Sequence, residues 1–325
     1  MTRSSFENIR VVLAEPNMKL RTVLKNSLFE FGFRHVQATG HLSQIVGAVE
    51  AGNADLLIAD VALPKGDFNE YVYELRHGLH GTNPFLGVIT LITKPSKAVV
   101  QGAIDSGADC VLAKPITADA LMAAISVLAQ RRKRFVVTSD YIGPDRRSAH
   151  RGPGDEIVRI DVPNPLLPRI IGHGRGARSQ RSIEAAKHMV NEQKVLRHAF
   201  QIGWLMDRVV AEMAALKGGT LVGQPEHIER LCAVSKDLCR RLKNTRFAHV
   251  EEIILTLERM ARGALRGHLC VDDIQLMRRM AEIIGSVFDP DRSANAAQYR
   301  RQVKRGINVF EPVSDQPETS PESAP

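Results

Sequence analysis

The sequence predicts an α/β domain with a doubly wound parallel sheet of five strands, followed by a linker and an all-helical bundle. Three observations lead to this prediction. Short apolar runs alternate with amphipathic segments over residues 1–130, this periodicity is lost over residues 131–181, and apolar residues at helical spacing return from residue 182. The length of 325 residues is typical of two domains.

Five apolar runs are the predicted strands, because strands buried on both faces of a parallel sheet are continuously apolar. They span residues 9–14, 35–38, 54–60, 86–92 and 110–113. Amphipathic helices are predicted between and after them, at residues 18–31, 42–51, 69–77, 97–106 and 118–130. In such a sheet the working residues lie at the carboxyl ends of the strands. The residues at those ends are Glu15, Asp60, Thr93 and Lys114.

Residues 131–181 are rich in Arg, Gly and Pro and are predicted to form an extended linker. They contain 12 basic and 5 acidic residues, so most of the net charge of +8 lies here rather than in a predicted domain. This distribution weakens an inference of nucleic-acid binding. The segment Phe135–Arg147 suggests an apolar anchor followed by a turn, and its function stays open. Arg146, Arg147 and Arg151 have the spacing of cyclic-dinucleotide-binding PilZ barrels, but no strand pattern follows them.

Residues 182–311 are predicted to form a helical bundle, and residues 312–325 a disordered tail without apolar content. An apolar stripe over residues 195–216 has heptad-like spacing, which leaves dimerisation open, although a bundle core is favoured. Two basic clusters leave DNA binding open as an alternative. They are Arg240, Arg241, Lys243 and Arg246, and Arg300, Arg301, Lys304 and Arg305.

Several classes of protein are disfavoured. No run of about 18 apolar residues is present, so no membrane span is expected. The N-terminus lacks the apolar stretch of a secretory signal, and we expect a cytoplasmic location. The four cysteines have neither CxxC nor zinc-ligand spacing. The second half has no nucleophile elbow, Walker loop or acid pair, and we do not expect an enzyme.

Residues 8–130 resemble the receiver domain of two-component response regulators, which has the flavodoxin-like fold. Asp60 in LLIADVALP matches the phosphate-accepting aspartate, Lys114 in AKP the lysine after the fifth strand, and Thr93 in LITKPS the switch threonine. The resemblance implies that a sensor histidine kinase or phosphotransfer protein phosphorylates Asp60. It also implies that Lys114 and Thr93 contact the phosphoryl group, and that Glu15, Asp60 and the Ala62 carbonyl group hold Mg²⁺.

The sequence departs from the receiver pattern at two positions. Pro16 stands where receivers carry a second acid after the first strand, which predicts a weakened Mg²⁺ site. Val111 stands at the position of the aromatic switch residue, and Thr90 is the second choice for the switch threonine.

Three functions therefore stay open. The favoured one is a phosphorylated regulator whose helical part contacts an unidentified protein target, with homodimerisation included. The others are a DNA-binding transcriptional regulator and an unphosphorylated pseudo-receiver scaffold.

Overall fold

The computed structural model describes residues 6–146, 158–170, 177–215, 226–243, 245, 247–266 and 271–288. The chain divides into two compact units, the first ending at Val195 and the second beginning at Leu196. The predicted tail at 312–325 and the basic cluster Arg300–Arg305 lie outside the described residues, as do Arg147, Arg151 and Arg246.

The first unit contains a five-stranded parallel sheet, as the sequence predicts, and the structure gives its strand order as β2-β1-β3-β4-β5. Its strands are β1 (Arg10–Ala14), β2 (His35–Thr39), β3 (Leu56–Asp60), β4 (Gly87–Ile92) and β5 (Cys110–Ala113). The helices between and after them are α1 (Met18–Glu30), α2 (Leu42–Glu50), α3 (Phe68–Arg76), α4 (Lys97–Asp105) and α5 (Ala118–Gln130).

Each face of the sheet has its own apolar core because successive strand residues point to opposite faces. In β1, Val11 and Leu13 pack with buried residues of α1 and α5, whereas Val12 and Ala14 pack with buried residues of α2 and α3. This two-sided burial explains why the strands are continuously apolar in sequence.

Polar side chains cap the N-termini of four of these helices, next to the carboxyl edge of the sheet. The capping residues, each of which accepts a hydrogen bond from the first helical turn, are Asn17, Asp67, Ser96 and Thr117. These capping residues stand at the ends of the loops that follow β1, β3, β4 and β5. Each of these loops, which carry the candidate site, is therefore short and is fixed by a strand at one end and by a capped helix at the other.

The prediction of an extended linker over residues 131–181 is wrong where the structure describes this segment. A second, antiparallel sheet in the order β7-β6-β8 lies here, made of β6 (Phe135–Val137), β7 (Ile142–Pro144) and β8 (Arg159–Ile160). A short helix, α6 (Leu167–Ile170), follows. The strands contain only two or three residues, too few to give a recognisable alternation in sequence.

A buried cluster of charged side chains joins this small sheet to the main sheet. The guanidinium groups of Arg76 and Arg132 lie 5.2 and 5.1 Å from the ring centroid of Phe135, and they pair with Asp109 at 2.9 and 3.0 Å. Burial lowers the pKa of Arg76 to about 10, although Asp109 acts in the opposite direction. The Phe135 ring is thereby fixed by two cations that share one carboxylate.

The first part of the next helix, α7 (Ala177–Ala215), also belongs to this unit. Ile183, Ala186 and Val190 pack on the small sheet, and the buried Lys194 ammonium donates to the carbonyl oxygens of Thr138 and Ser139 at 3.1 and 2.6 Å. The first unit therefore continues to residue 195, well beyond the domain boundary at 130 that the sequence suggested.

The second unit is helical, as predicted. It contains the rest of α7, then α8 (Glu226–Leu242), a single 3-10 turn (Ala248–Val250), α9 (Glu251–Ala264) and α10 (Val271–Phe288). Buried faces of α8 and α9 carry Leu231, Leu238 and Leu257. No helix within the described ranges is long and apolar enough to cross a membrane.

Candidate functional site

Four strand ends bring the candidate residues together at one edge of the main sheet. Glu15 follows β1, Asp60 ends β3, Thr93 follows β4 and Lys114 follows β5. Since β1, β3, β4 and β5 are neighbouring parallel strands, their carboxyl ends are adjacent, and the contacts below join all four side chains.

Asp60 lies at the centre of this group, and only 1% of the residue is exposed. Its Oδ1 accepts a hydrogen bond from the Ala62 backbone N–H at 2.6 Å. Its Oδ2 accepts a longer one from the Thr93 hydroxyl at 3.5 Å and contacts the Lys114 ammonium group. The carboxylate therefore faces a hydroxyl and an ammonium group through the same oxygen.

Lys114 bridges the two buried carboxylates. Its Nζ contacts Asp60 and lies 2.6 Å from Glu15 Oε2. Burial acts to lower the pKa of Lys114, but hydrogen bonds and the negative charges of Asp60 and Glu15 outweigh burial, and the net result is a raised pKa. The ammonium group stays charged throughout the physiological pH range. The Lys114–Pro115 peptide bond is cis.

The loop after β1 holds Glu15 in place. The Asn17 backbone N–H donates to Glu15 Oε1 at 3.0 Å, and Arg21 Nη1 donates to the Glu15 carbonyl oxygen at 2.7 Å. Arg21 lies against Gly40, where a Cβ atom would come within 2.7 Å of Nη1. Sequence reasoning missed Arg21 because no motif marks this residue. The position of its guanidinium group against Gly40 depends on how α1 packs beside the end of β2.

The second choice for the switch threonine, Thr90, is fully buried inside β4. Of the two threonines, Thr93 donates a hydrogen bond to Asp60, whereas the Thr90 hydroxyl group has no hydrogen-bond partner in the described part of the chain. Val111 is partly buried in β5, and its side chain is too short to take the place of a Tyr or Phe ring.

Two carboxylates are the acidic donors at this edge. Within the described ranges, no three His, Cys, Asp or Glu side chains are grouped so that they could hold a metal ion. Mg²⁺ is commonly bound by one or two carboxylates together with phosphate oxygens and water. Glu15, Asp60 and the Ala62 carbonyl oxygen fit that donor set, but Lys114 already neutralises one of the two negative charges. Pro16 contributes no donor side chain.

This arrangement is suited to accepting a phosphoryl group on a carboxylate. Phosphoryl transfer needs an in-line nucleophile and cationic or hydrogen-bonding groups for the charge on the equatorial oxygens. The Asp60 carboxylate can supply the nucleophile, and Lys114 and Thr93 already contact it from the neighbouring strand ends.

Comparisons with known proteins agree with this geometry. Residues 11–126 match the family model described as the response regulator receiver domain. The chain is 30% identical over 125 residues to a probable chemotaxis protein CheY of Rhizobium etli, covering 38% of this chain and 93% of that protein. It is 26% identical over 126 residues to the response regulator MprA of Mycobacterium tuberculosis, covering 39% of this chain and 53% of that protein.

A third relative is the KDP operon transcriptional regulatory protein KdpE of Escherichia coli, 30% identical over 166 residues, with 50% of this chain and 64% of that protein covered. Among solved structures, a CheY-like receiver domain protein from Methanospirillum hungatei is 19% identical, with a TM-score of 0.33 and coverage of 36% of this chain and 90% of that one. The chain thus spans nearly all of the CheY relative but less than two thirds of MprA and KdpE.

Proposed function

The chain belongs to the response regulator receiver family through residues 11–126, and on that basis we propose that Asp60 accepts a phosphoryl group from a sensor histidine kinase or a phosphotransfer protein. The observation that carries the proposal is the meeting of the Asp60 carboxylate, the Lys114 ammonium group and the Thr93 hydroxyl at one sheet edge.

In the proposed step, a carboxylate oxygen of Asp60 attacks the phosphorus atom, and the bond between phosphorus and the donor's leaving atom breaks. The Lys114 ammonium group moves from the carboxylate to a phosphoryl oxygen, which neutralises charge in the transition state. The Ala62 N–H holds the carboxylate through Oδ1. The Thr93 hydroxyl donates to another phosphoryl oxygen once its 3.5 Å contact with Asp60 is released.

Glu15, Asp60 and the Ala62 carbonyl oxygen would hold a magnesium ion at this edge. When bound, such an ion supplies further positive charge next to the transferring group. Because Lys114 contacts both carboxylates and Pro16 adds no acid, we propose that metal binding is weak and that phosphorylation is slow.

The helical unit is proposed to pass the signal on through protein contacts, including self-association, in a cytoplasmic protein that is not itself an enzyme. One observation disfavours the DNA-binding alternative. Arg240 and Arg241, half of the first predicted basic cluster, pair with Asp237 at 2.6 and 2.7 Å, and Arg241 is buried. The Arg241 guanidinium group is therefore engaged inside the unit, and that of Arg240, although exposed, is paired with the same carboxylate, so neither offers an unpaired charge to a phosphate backbone.

Intact-mass spectrometry with acetyl phosphate and Mg²⁺ tests the proposal on the full chain. We expect one phosphoryl group on the wild-type chain and none on Asp60→Asn. The matched control is Asp67→Asn, in the loop after β3, where Asn keeps the capping oxygen. An unlabelled wild-type chain would favour the pseudo-receiver scaffold, whereas equal labelling of Asp60→Asn would show that Asp60 is not the acceptor.

Fluorescence anisotropy with duplex DNA separates the two output functions. Under the protein-contact proposal, binding by the full chain is weak and is lost at physiological salt. Nanomolar, sequence-selective binding at that salt concentration would instead establish the transcriptional alternative.

A further inference from the structure

Residues 135–144, which comprise β6, β7 and the turn between them, form an antiparallel hairpin that holds the ammonium group of a buried lysine. The lysine is Lys194 of α7, and only 1% of the residue is exposed. Its Nζ donates to the carbonyl oxygens of Thr138 and Ser139, both in the turn, at 3.1 and 2.6 Å. The hairpin turn therefore binds one cation of α7 through main-chain oxygens.

Lys194 stands where the apolar face of α7 would otherwise continue. Ile183, Ala186 and Val190 pack on the small sheet, and Lys194 follows them at the same spacing of three or four residues. Residues at this spacing lie on one face of a helix. Because a buried cation is costly to remove from water, an apolar side chain would fill this position at lower cost. Packing alone thus does not explain a lysine here.

The other side of the hairpin lies against the loop between α4 and β5. A Cβ atom on Gly143 would lie 2.8 Å from the Gly107 Cα atom, and one on Gly107 would lie 2.6 Å from the Ile142 carbonyl oxygen. The Arg146 guanidinium group, just beyond the hairpin, donates to the Ala108 carbonyl oxygen. Contacts this close leave no free space, so a displacement of the α4–β5 loop displaces the hairpin as well.

α4 connects this loop to the edge of the sheet at which Asp60 lies. The helix begins four residues after Thr93 and ends at Asp105, directly before the loop that contacts the hairpin. Its nine residues form a rigid rod about 13 Å long. Ala103 is the one buried residue of this helix, so little apolar packing holds α4 on the sheet. A shift at the start of α4 is therefore passed to its end.

We propose that the hairpin relays the state of Asp60 to α7, with Lys194 as the connecting group. This inference rests on the proposed function, because a phosphoryl group on Asp60 is what displaces Thr93 and the start of α4. The displaced α4–β5 loop moves the hairpin, and the turn carbonyl oxygens move away from the Lys194 ammonium group. A buried cation that loses its hydrogen bonds is strongly destabilised, so residues 177–195 detach from the small sheet. The same helix continues into the second unit.

Hydrogen exchange measured by mass spectrometry tests this relay on the full chain. We expect labelling with acetyl phosphate and Mg²⁺ to raise the exchange rates of residues 177–195 by about tenfold, because a detached helix opens more often. In Lys194→Met, which keeps an unbranched side chain without the charge, labelling should leave those rates unchanged. The matched control is Lys187→Met on the same helix, whose lysine pairs with Glu184 at 3.1 Å. This control should respond as the wild-type chain does.

Two outcomes of this comparison overturn the relay. Unchanged exchange of residues 177–195 in a labelled wild-type chain would show that α7 does not respond to Asp60. An equal response in the wild-type chain and in Lys194→Met would show that Lys194 is not the connecting group. Slow exchange of β3 and β4 in every variant verifies that the main sheet stays folded.

A second arm of the experiment moves α4 without a phosphoryl group. Ala103→Leu places a larger side chain beneath α4, and overpacking displaces the helix from the sheet. We expect exchange of residues 177–195 in the unlabelled chain to become about tenfold faster, and the increase to vanish when Lys194→Met is added. The control is Ala120→Leu, at an exposed position of α5, which should leave the exchange of residues 177–195 unchanged.

The second arm separates the relay from the proposed phosphorylation. A wild-type chain that is never labelled, together with the expected response to Ala103→Leu, contradicts the phosphorylation alone. Faster exchange of α4 in Ala103→Leu with unchanged exchange of residues 177–195 contradicts the relay, whether or not Asp60 is labelled.

Discussion

Pro16 occupies the one position at the sheet edge where a third acidic ligand would be expected. It follows Glu15 directly and is exposed, so a carboxylate there would be near both existing acids. We predict that Pro16→Asp raises Mg²⁺ affinity by about tenfold, because affinity increases with the number of charged oxygen ligands. Titration calorimetry with Mg²⁺ measures this. Pro16→Asn, which removes the ring without adding charge, should stay at the wild-type value, and an equal change in both variants would contradict the prediction.

Lys114 is the counter-ion of two buried carboxylates. We predict that Lys114→Met lowers the free energy of unfolding by about 3–5 kcal/mol at pH 7, because it leaves Glu15 and Asp60 buried without a cation. Urea unfolding measures this loss. Adding Asp60→Asn to the same chain should restore part of the stability, since only one uncompensated charge then remains. No recovery in the double variant would show that Lys114 acts through packing.

The pH dependence of this contribution has a definite sign. The pKa of Lys114 is raised in the folded chain, so its stabilising effect is complete below the ordinary lysine value of 10.5 and is lost as pH rises through the raised value. The difference in stability between wild type and Lys114→Met should therefore be constant from neutral pH to about pH 10 and shrink above it. A difference that shrinks already near pH 8 would contradict the raised pKa.

At the level of elements, the small sheet is joined to the main one by a contact between two glycines. A Cβ atom on Gly143 would lie 2.8 Å from the Gly107 Cα atom and 2.5 Å from the Tyr141 hydroxyl oxygen. We predict that Gly143→Ala destabilises the first unit by about 1–3 kcal/mol, measured by urea unfolding. The control is Gly47→Ala in α2, where nothing lies within 4 Å. Gly47→Ala should leave the free energy of unfolding unchanged or raise it by up to about 1 kcal/mol. An equal change in the free energy of unfolding in Gly143→Ala and Gly47→Ala would mean that the contact between Gly143 and Gly107 is not tight.

A second element-scale feature is a polar residue in the core of the helical unit. Gln201 is fully buried in α7, and neither of its amide atoms has a hydrogen-bond partner within the described part of the chain. We predict that Gln201→Leu raises the free energy of unfolding by about 1–3 kcal/mol, because it removes unsatisfied polar atoms and keeps the volume. Urea unfolding followed by far-UV circular dichroism measures this change in the free energy of unfolding. Gln275→Leu, at an exposed position of α10, should change stability by less than about 0.5 kcal/mol. A loss of stability in Gln201→Leu would indicate a bound water at that amide.

On the scale of the whole molecule, the sequence was sufficient for the main sheet because its central strands are buried on both faces and four of its five helices begin at a capping residue. Glu15, Asp60, Thr93 and Lys114 could be placed together from the sequence because each stands at the carboxyl end of a predicted parallel strand. The small sheet could not be found, because its strands contain only two or three residues and because Phe135 is held partly by Arg76, which is distant in sequence. Arg21 was missed because a single cation in a helix forms no sequence motif.

The position of the phosphoryl group on the chain can be determined chemically. After incubation of the full chain with acetyl phosphate and Mg²⁺, borohydride reduces an aspartyl phosphate to homoserine, which peptide mass spectrometry can place in the sequence. We predict homoserine at position 60 and at no other acidic position. Reduction at a different carboxylate, or none in a chain that is otherwise folded, would contradict it.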